Sequence, residues 1–206
     1  MSTTNGHHDH YDAEANKLGM WIFLFTELFL FGGLFLVYAV ARANDAFTAD
    51  FHHASEQLDT FIGTINTVVL LVSSMTVAMS ITALQKGMKN LSIGLIAVTI
   101  LMAALFMVNK YFEWSHKFHY HIWPGSDVVH SMNKGEIVFY GLYYMMTGLH
   151  GLHVLIGMVL LAVTIWRIKI GKVNAERISL LENSGLYWHL VDLIWIFLFP
   201  LLYLIT

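Results

Sequence analysis

The chain has 206 residues, of which 57% are hydrophobic and 12% charged, with a formal net charge of −3 and a mean hydropathy of +0.61. An ordinary soluble domain carries about 25% charged residues, so this composition excludes one and describes an integral membrane protein. The small negative charge, without any basic block, gives no electrostatic case for nucleic acid as a partner. With no cysteine in the chain, thiolate catalysis, Cys-ligated metal and disulfides are removed from consideration.

Residues 1–16, MSTTNGHHDHYDAEAN, read as a polar, flexible tail. No short apolar core with a small-residue cleavage site follows, so no cleaved signal peptide is expected. His7, His8 and His10 could hold a metal, but an isolated His-rich tail is more simply read as incidental. Residues 17–206 read as one membrane domain of five transmembrane helices, an all-α bundle, because about 20 apolar residues suffice to cross the hydrocarbon core.

The first span, at about 18–41, contains KLGMWIFLFTELFLFGGLFLVYAVAR, with Glu27 about 15 Å beyond Lys17 at 1.5 Å rise per residue. Gly32 and Gly33 in it are read as allowing close helix approach. The second span, at about 60–84, scatters Asn66, Thr67, Ser73, Ser74, Thr76 and Ser80 along its length, small polar residues suited to interhelical hydrogen bonds. The third, at about 91–113, is read as stopping at the polar cluster Asn109, Lys110 and Glu113. A His- and aromatic-rich loop with Pro124 and Gly125 follows, expected to turn at the membrane surface.

The fourth span, at about 136–167, carries His150 and His153 on one helical face, where Thr147 and Gly151 leave room for a neighbouring backbone. A charged link from Lys169 to Glu182 leads to the fifth span, at about 186–205, with His189 and Asp192 near its start. The six tryptophans, Trp21, Trp114, Trp123, Trp166, Trp188 and Trp195, mostly fall near predicted span ends, where aromatic belts form.

Placing the amino terminus in the cytoplasm puts Lys17, Lys86, Lys89, Arg167, Lys169, Lys172 and Arg177 inside, against Arg42, Lys110, Lys117 and Lys134 outside. The positive-inside bias therefore favours a cytoplasmic amino terminus and a periplasmic carboxyl terminus. In that topology Glu27, His150 and His153 lie near the midplane, while His189 and Asp192 lie nearer the cytoplasm. Lipid offers these groups no partners, so Glu27 is expected to meet a histidine of the fourth span, with His150 as the named partner.

Several chemistries fit such residues. A metal centre would need more than His at i, i+3, which lacks the Glu-x-x-His pattern repeated on two helices of di-iron bundles. A haem held between His150 and His189 would need both at one depth, and the topology offsets them. A proton relay would need groups continuing above Glu27, yet that half of the first span reads LFLFGGLFLVYAV. A transporter would show inverted repeats or broken helix pairs, and none is visible.

Taken together, KLGMWIFLFTELFLFGGLF, INTVVLL, KYFEW, TGLHGLHVLIG and LYWHLVDLIWIFLFPLLYL closely resemble subunit III of the haem-copper terminal oxidases, the cytochrome c and quinol oxidases. The resemblance covers Lys17 to Thr206. It implies a non-catalytic accessory subunit of a proton-pumping aa3-type cytochrome c oxidase in the aerobic respiratory chain, lodged in the bacterial cytoplasmic (inner) membrane. Its implied partners are the catalytic subunit I, subunit II and membrane lipids, within the oxidase or a larger respiratory supercomplex.

No cofactor is expected on this chain itself; haem a and copper belong to the partner subunits, and phospholipid is the expected ligand. By the same resemblance Glu27 matches an intramembrane acid that reacts with hydrophobic carbodiimides, and the subunit holds phospholipid in a cleft and sustains proton uptake by the catalytic subunit. The family's polar and aromatic positions match Glu27, Asn66, Glu113, His150, His153, Trp188, His189 and Asp192. Longer members have seven spans and this chain lacks the first two, which help to wall the lipid cleft. Two alternatives stay open: the corresponding subunit of a quinol oxidase or nitric oxide reductase, and a stand-alone cytochrome with a haem between two histidines.

Overall fold

The computed structural model describes residues 13–205, so His7, His8 and His10 lie outside the described residues. Among these the elements are α1 (Ala13–Arg42), α2 (Asp45–Glu56), α3 (Thr60–Gln85), α4 (Lys89–His119), α5 (Asp127–His130), α6 (Lys134–Lys169) and α7 (Ser179–Tyr203). Five helices, α1 from Lys17 together with α3, α4, α6 and α7, are long and apolar enough to cross a membrane. The expected all-α, five-span architecture is the one observed.

The helices α3, α4, α6 and α7 close a ring in that order, with α7 back against α3; α1 lies outside it on α6 and α7, and α2 lies on α6. Within the apolar stretch of each helix, 56% of the α7 residues but only 11% of the α1 residues are buried. The last helix is therefore the centre of the fold and the first its periphery. One end of the bundle is tied by Lys17 to Glu182 at 3.2 Å and by Lys89 Nζ donating to the Lys169 carbonyl at 3.1 Å. At the other end the Tyr38 hydroxyl donates to the Leu201 carbonyl, and that of Thr60 to the Tyr203 carbonyl at 3.3 Å. Successive spans thus run in alternate directions.

Local chemistry sets most helix ends. The Asp59 side chain accepts from the Ile62 amide at 3.0 Å and starts α3; the Asn44 side chain accepts from the Ala46 amide at 3.1 Å and starts α2. Gly87 at φ +77° and Gly171 at φ +76° follow the ends of α3 and α6, in the left-handed conformation that only glycine adopts without cost.

Three boundaries differ from expectation. Helix α4 runs six residues past Glu113, because Lys110, Glu113 and Lys117 are buried within the bundle and do not mark a membrane surface. Helix α7 begins at Ser179, seven residues before the expected start; Ser184 is buried and bonded to the Leu180 carbonyl, so the polar stretch stays helical. The link between the first two spans contains α2, anchored by buried Phe51 and Ala54, where no element was expected. The loop does turn at Pro124–Gly125, but its first residues belong to α4 and Ser126 caps the one-turn α5.

The close helix approach falls at a different glycine from those expected. A Cβ on Gly157 would lie 2.8 Å from the Trp188 ring and 3.3 Å from that of Tyr187, so this glycine is what lets α6 and α7 meet. Gly151 would meet only the Met107 methyl at 3.9 Å, and Gly32 and Gly33 nothing within 4 Å. The Thr147 hydroxyl turns back on the Tyr143 carbonyl at 2.6 Å. Trp188 and Trp195, expected in a belt, are buried in the bundle, whereas Trp21 and Trp166 stay exposed. Overpacking a filled core costs about 1–3 kcal/mol, so Gly157→Val is expected to lower the thermal unfolding midpoint of the purified protein clearly. Gly33→Ala, with open space around it, should leave that midpoint within experimental error.

Candidate functional site

The polar residues of the interior do not form one centre. Among the described residues they form several separate groups, most of them joining two or more helices.

Glu27 of α1 meets His153 of α6, with Oε2 2.9 Å from Nε2. The other ring nitrogen, Nδ1, donates to the Leu149 carbonyl one turn back at 2.7 Å, which orients the ring so that Nε2 faces the Glu27 carboxyl. Phe31 packs edge-on against the imidazole at 5.3 Å, and the Tyr187 hydroxyl of α7 donates to the His153 carbonyl at 3.2 Å. The pair lies in the middle of both helices, Glu27 being the more open member at 14% side-chain exposure against 9% for His153. A histidine of the fourth span does meet Glu27, but it is His153 and not His150.

His150 sits about 60° further round α6, given 3.6 residues per turn, and turns into the ring of helices instead. It is fully buried between Phe106, at 5.6 Å, and Trp195, at 5.2 Å, and neither ring nitrogen has a hydrogen-bond partner among the described residues. His189, on the opposite edge of α7, has its Nδ1 2.6 Å from the Ser74 hydroxyl of α3. His150 and His189 therefore attend to different neighbours and do not face each other. Among the described residues no three His, Asp or Glu side chains converge.

The α3–α7 contact is a ladder. Trp195 Nε1 donates to the Thr67 hydroxyl at 3.0 Å, Trp188 Nε1 to that of Ser73 at 3.0 Å, and Ser74 holds His189. Thr67, Ser73 and Ser74 of α3 thus take the heteroatoms of α7, which is the use expected of such residues in lipid. On the next face of α3, Asn66 accepts from Asn109 Nδ2 of α4 at 2.8 Å. Asp192 is buried, and its Oδ1 has no partner among the described residues.

The densest group was not anticipated as a unit. Lys110 Nζ lies 3.0 Å from Glu113 Oε2 and 2.7 Å from the Tyr203 hydroxyl. The hydroxyls of Tyr143 and Tyr203 both donate to Glu113 Oε1, at 2.5 and 2.7 Å. The ammonium also lies over the rings of Tyr143 and Trp195 at 5.3 and 5.2 Å. Three helices are joined here, α4 by the ion pair, α6 by Tyr143 and α7 by Tyr203. Lys117, one turn further on, reaches the Gln57 carbonyl at 3.4 Å, and Tyr140 donates to the Gln57 side chain at 2.7 Å. The i, i+3 spacing of Lys110 and Glu113 was a legible signal; that two distant tyrosines complete the cage was not.

Between α4 and α6 runs an apolar groove of about 420 Å³. Trp114, Ser115 and Lys110 line it towards the end of α4, Met107, Leu152 and Leu155 towards the bilayer centre, and Gly148 and Gly151 form its floor. None of the eight residues singled out by sequence lies in this lining. The Trp114 indole nitrogen, beside it, is buried without a partner among the described residues.

Removing one member of a buried, bonded ion pair costs about 3–5 kcal/mol, whereas exchanging both for apolar groups is often neutral. Glu113→Gln and Lys110→Met are each expected to lower thermal stability strongly. The double variant Lys110→Met, Glu113→Leu should recover most of the loss in a double-mutant cycle, and purely additive losses would show that the two residues act separately.

Comparison with known proteins agrees with this architecture. The family model for cytochrome c oxidase subunit III matches residues 1–206. The cytochrome c oxidase subunit 3 of Thermostichus vulcanus is 32% identical over 97% of this chain and 92% of its own length. The cytochrome bo(3) ubiquinol oxidase subunit 3 of Pseudomonas putida is 30% identical over 95% of this chain and 88% of its own. A protein of Aeropyrum pernix named heme-copper oxidase subunit I+III is 26% identical over 97% of this chain, which spans 24% of that longer polypeptide. With five membrane-crossing helices in the order the motifs demand and a match along its whole length, the chain belongs to the cytochrome c oxidase subunit III family of the haem-copper oxidases.

Proposed function

We propose that the protein is the non-catalytic subunit III of an aa3-type cytochrome c oxidase in a bacterial cytoplasmic membrane. In this reading it braces the haem- and copper-bearing subunit I, contacts subunit II, holds phospholipid and sustains proton uptake. The observation that supports a bracing role is the way the interior charges are used: Glu27, Lys110 and Glu113 are each paired with groups of this chain, leaving little for a reacting molecule. The Aeropyrum relative carries the names of subunits I and III in one polypeptide, and we carry that association over to this chain. Cytochrome c as donor is favoured by the Thermostichus match, the quinol oxidase subunit of Pseudomonas putida being the specific rival.

The orientation proposed from the basic residues gains support from burial. Lys110 and Lys117 are buried side chains and not loop charges, which leaves only Arg42 and Lys134 on the proposed periplasmic side. The amino terminus then faces the cytoplasm.

The α4–α6 groove is the proposed phospholipid site. An acyl chain fits against Leu152, Leu155 and Met107, and a polar ester or phosphate fits beside Trp114 and Ser115 at the opposite end. Filling it with Gly151→Trp is expected to lower the phospholipid that co-purifies with each complex. Lipid phosphorus at the unaltered ratio would overturn this site.

Purification from native membranes in mild detergent tests the functional reading. Subunits I and II, a haem a spectrum and oxidation of reduced cytochrome c are expected; a preparation that oxidises only quinol would assign the other donor. A stoichiometric haem spectrum from this chain alone would overturn the non-catalytic role. Glu27→Gln should leave initial oxygen reduction in the assembled complex largely intact, since no electron carrier is assigned to this chain. Loss of first-turnover activity in a normally assembled complex would contradict that.

A further inference from the structure

Among the described residues, α1 and α3 both pack on α7 but nowhere bring their Cα atoms within 8 Å of each other. A strip of α7 therefore stays open between them, forming the floor of a furrow. At the α1 edge Phe197 packs against Phe35 at 6.3 Å; at the α3 edge His189 is held on Ser74 at 2.6 Å. Leu193 and Ile196 lie between these edges and are 43% and 40% exposed. On an otherwise enclosed helix, this is a long apolar floor without a covering neighbour.

The furrow is not a plain lipid-facing surface, because it carries polar groups near the middle of α7, whose start at Ser179 puts them deeper in the span than the sequence topology did. His189 lies about 15 Å and Asp192 about 20 Å along α7 from Ser179, at 1.5 Å per residue. Whichever ring nitrogen carries the proton, Ser74 takes Nδ1, and no described residue bonds Nε2. One turn on, Asp192 is buried on the α3 side beside Ser74, with Oδ1 unpartnered among the described residues. Acyl chains can satisfy neither group, and an unpaired polar group in hydrocarbon costs several kcal/mol. Phospholipid headgroups lie at the bilayer surface, out of reach of both. A transmembrane helix bearing a hydrogen-bonding side chain supplies what is missing.

We propose that this furrow seats a transmembrane helix of the neighbouring haem-bearing oxidase subunit, and that a hydroxyl, amide or basic side chain on that helix hydrogen-bonds to His189 Nε2 within the bilayer. The assignment rests on the reading of the chain as an oxidase subunit. The Asp192 carboxyl beside Ser74 favours a donor over an acceptor at that point, and Ser74 holds the imidazole in position for it.

A benzophenone amino acid at position 193 or 196, in the intact complex, tests the seat. Irradiation is expected to join this chain to the haem-bearing subunit from both positions. From position 29, where Phe29 is 74% exposed on the outer side of α1, it should yield lipid adducts only. Adducts from 193 and 196 to lipid alone, or to a second copy of this chain, while the haem-bearing subunit co-purifies would overturn the proposal. Failure of that subunit to co-purify even with the unaltered chain would instead overturn the functional reading. For the hydrogen bond, His189→Leu is expected to reduce the chain's recovery in the purified oxidase several-fold and His189→Gln to preserve it. Equal recovery of the two would overturn the role given to His189.

Discussion

Glu113 accepts from two tyrosine hydroxyls and an ammonium at once, deep in a bundle where water cannot substitute for any of them. That arrangement expresses the constraint on which the rest of the fold depends: in hydrocarbon, a charge is tolerable only where protein groups surround it. Lys110 and Glu113 share a helix, so their pairing alone would not hold the bundle. It is the tyrosines, arriving from α6 and α7, that turn an intrahelical pair into a joint between three helices. The same logic at lower charge density makes the α3–α7 contact, in which two indole nitrogens and an imidazole find the hydroxyls of Thr67, Ser73 and Ser74.

These joints explain why α7 is central although it comes last. It contributes Trp188, His189, Trp195 and Tyr203 to contacts with α3 and α4, and its aromatic bulk fits because Gly157 of α6 and Gly63 of α3 yield space. Helix α1 has little buried area; Lys17 and Tyr38 tie its two ends to α7, and among the described residues the one polar contact with another helix at its middle is that of Glu27 with His153 of α6.

Span number and order were legible because hydropathy in lipid is an absolute requirement, independent of how helices pack. That Glu27 needs a histidine of the fourth span was legible for the same reason. Which histidine was not: His150 and His153 differ by about 60° of rotation, and rotation is settled by packing, here by Trp195 filling one side of α6 and Phe31 the other. Charged residues misled at the ends of the third and fifth spans for a related reason. Lys110, Lys117 and Glu182 look like surface punctuation in one dimension, yet the first two lie inside the bundle and the last pairs with Lys17. Tyr143 and Tyr203, apolar in pattern, gave no sign that they close the Glu113 cage.

In the non-catalytic role proposed for this chain, ionisable groups are not needed for reaction, and their distribution is then governed by fold and assembly. Where a group is fully bonded within the chain, as at Glu113, the structure is complete without a neighbour. Where it is not, as at His189 and Asp192 in the open furrow, the deficit becomes a demand that another membrane helix can meet. The bilayer sharpens this distinction, because no solvent molecule competes for the vacant site and apolar area alone discriminates poorly between lipid and protein. An accessory subunit can therefore carry its address in a few incompletely bonded side chains set in an otherwise uniform hydrophobic surface. That is a specific way for a chain of ordinary lipid-compatible helices to recognise one partner and one orientation.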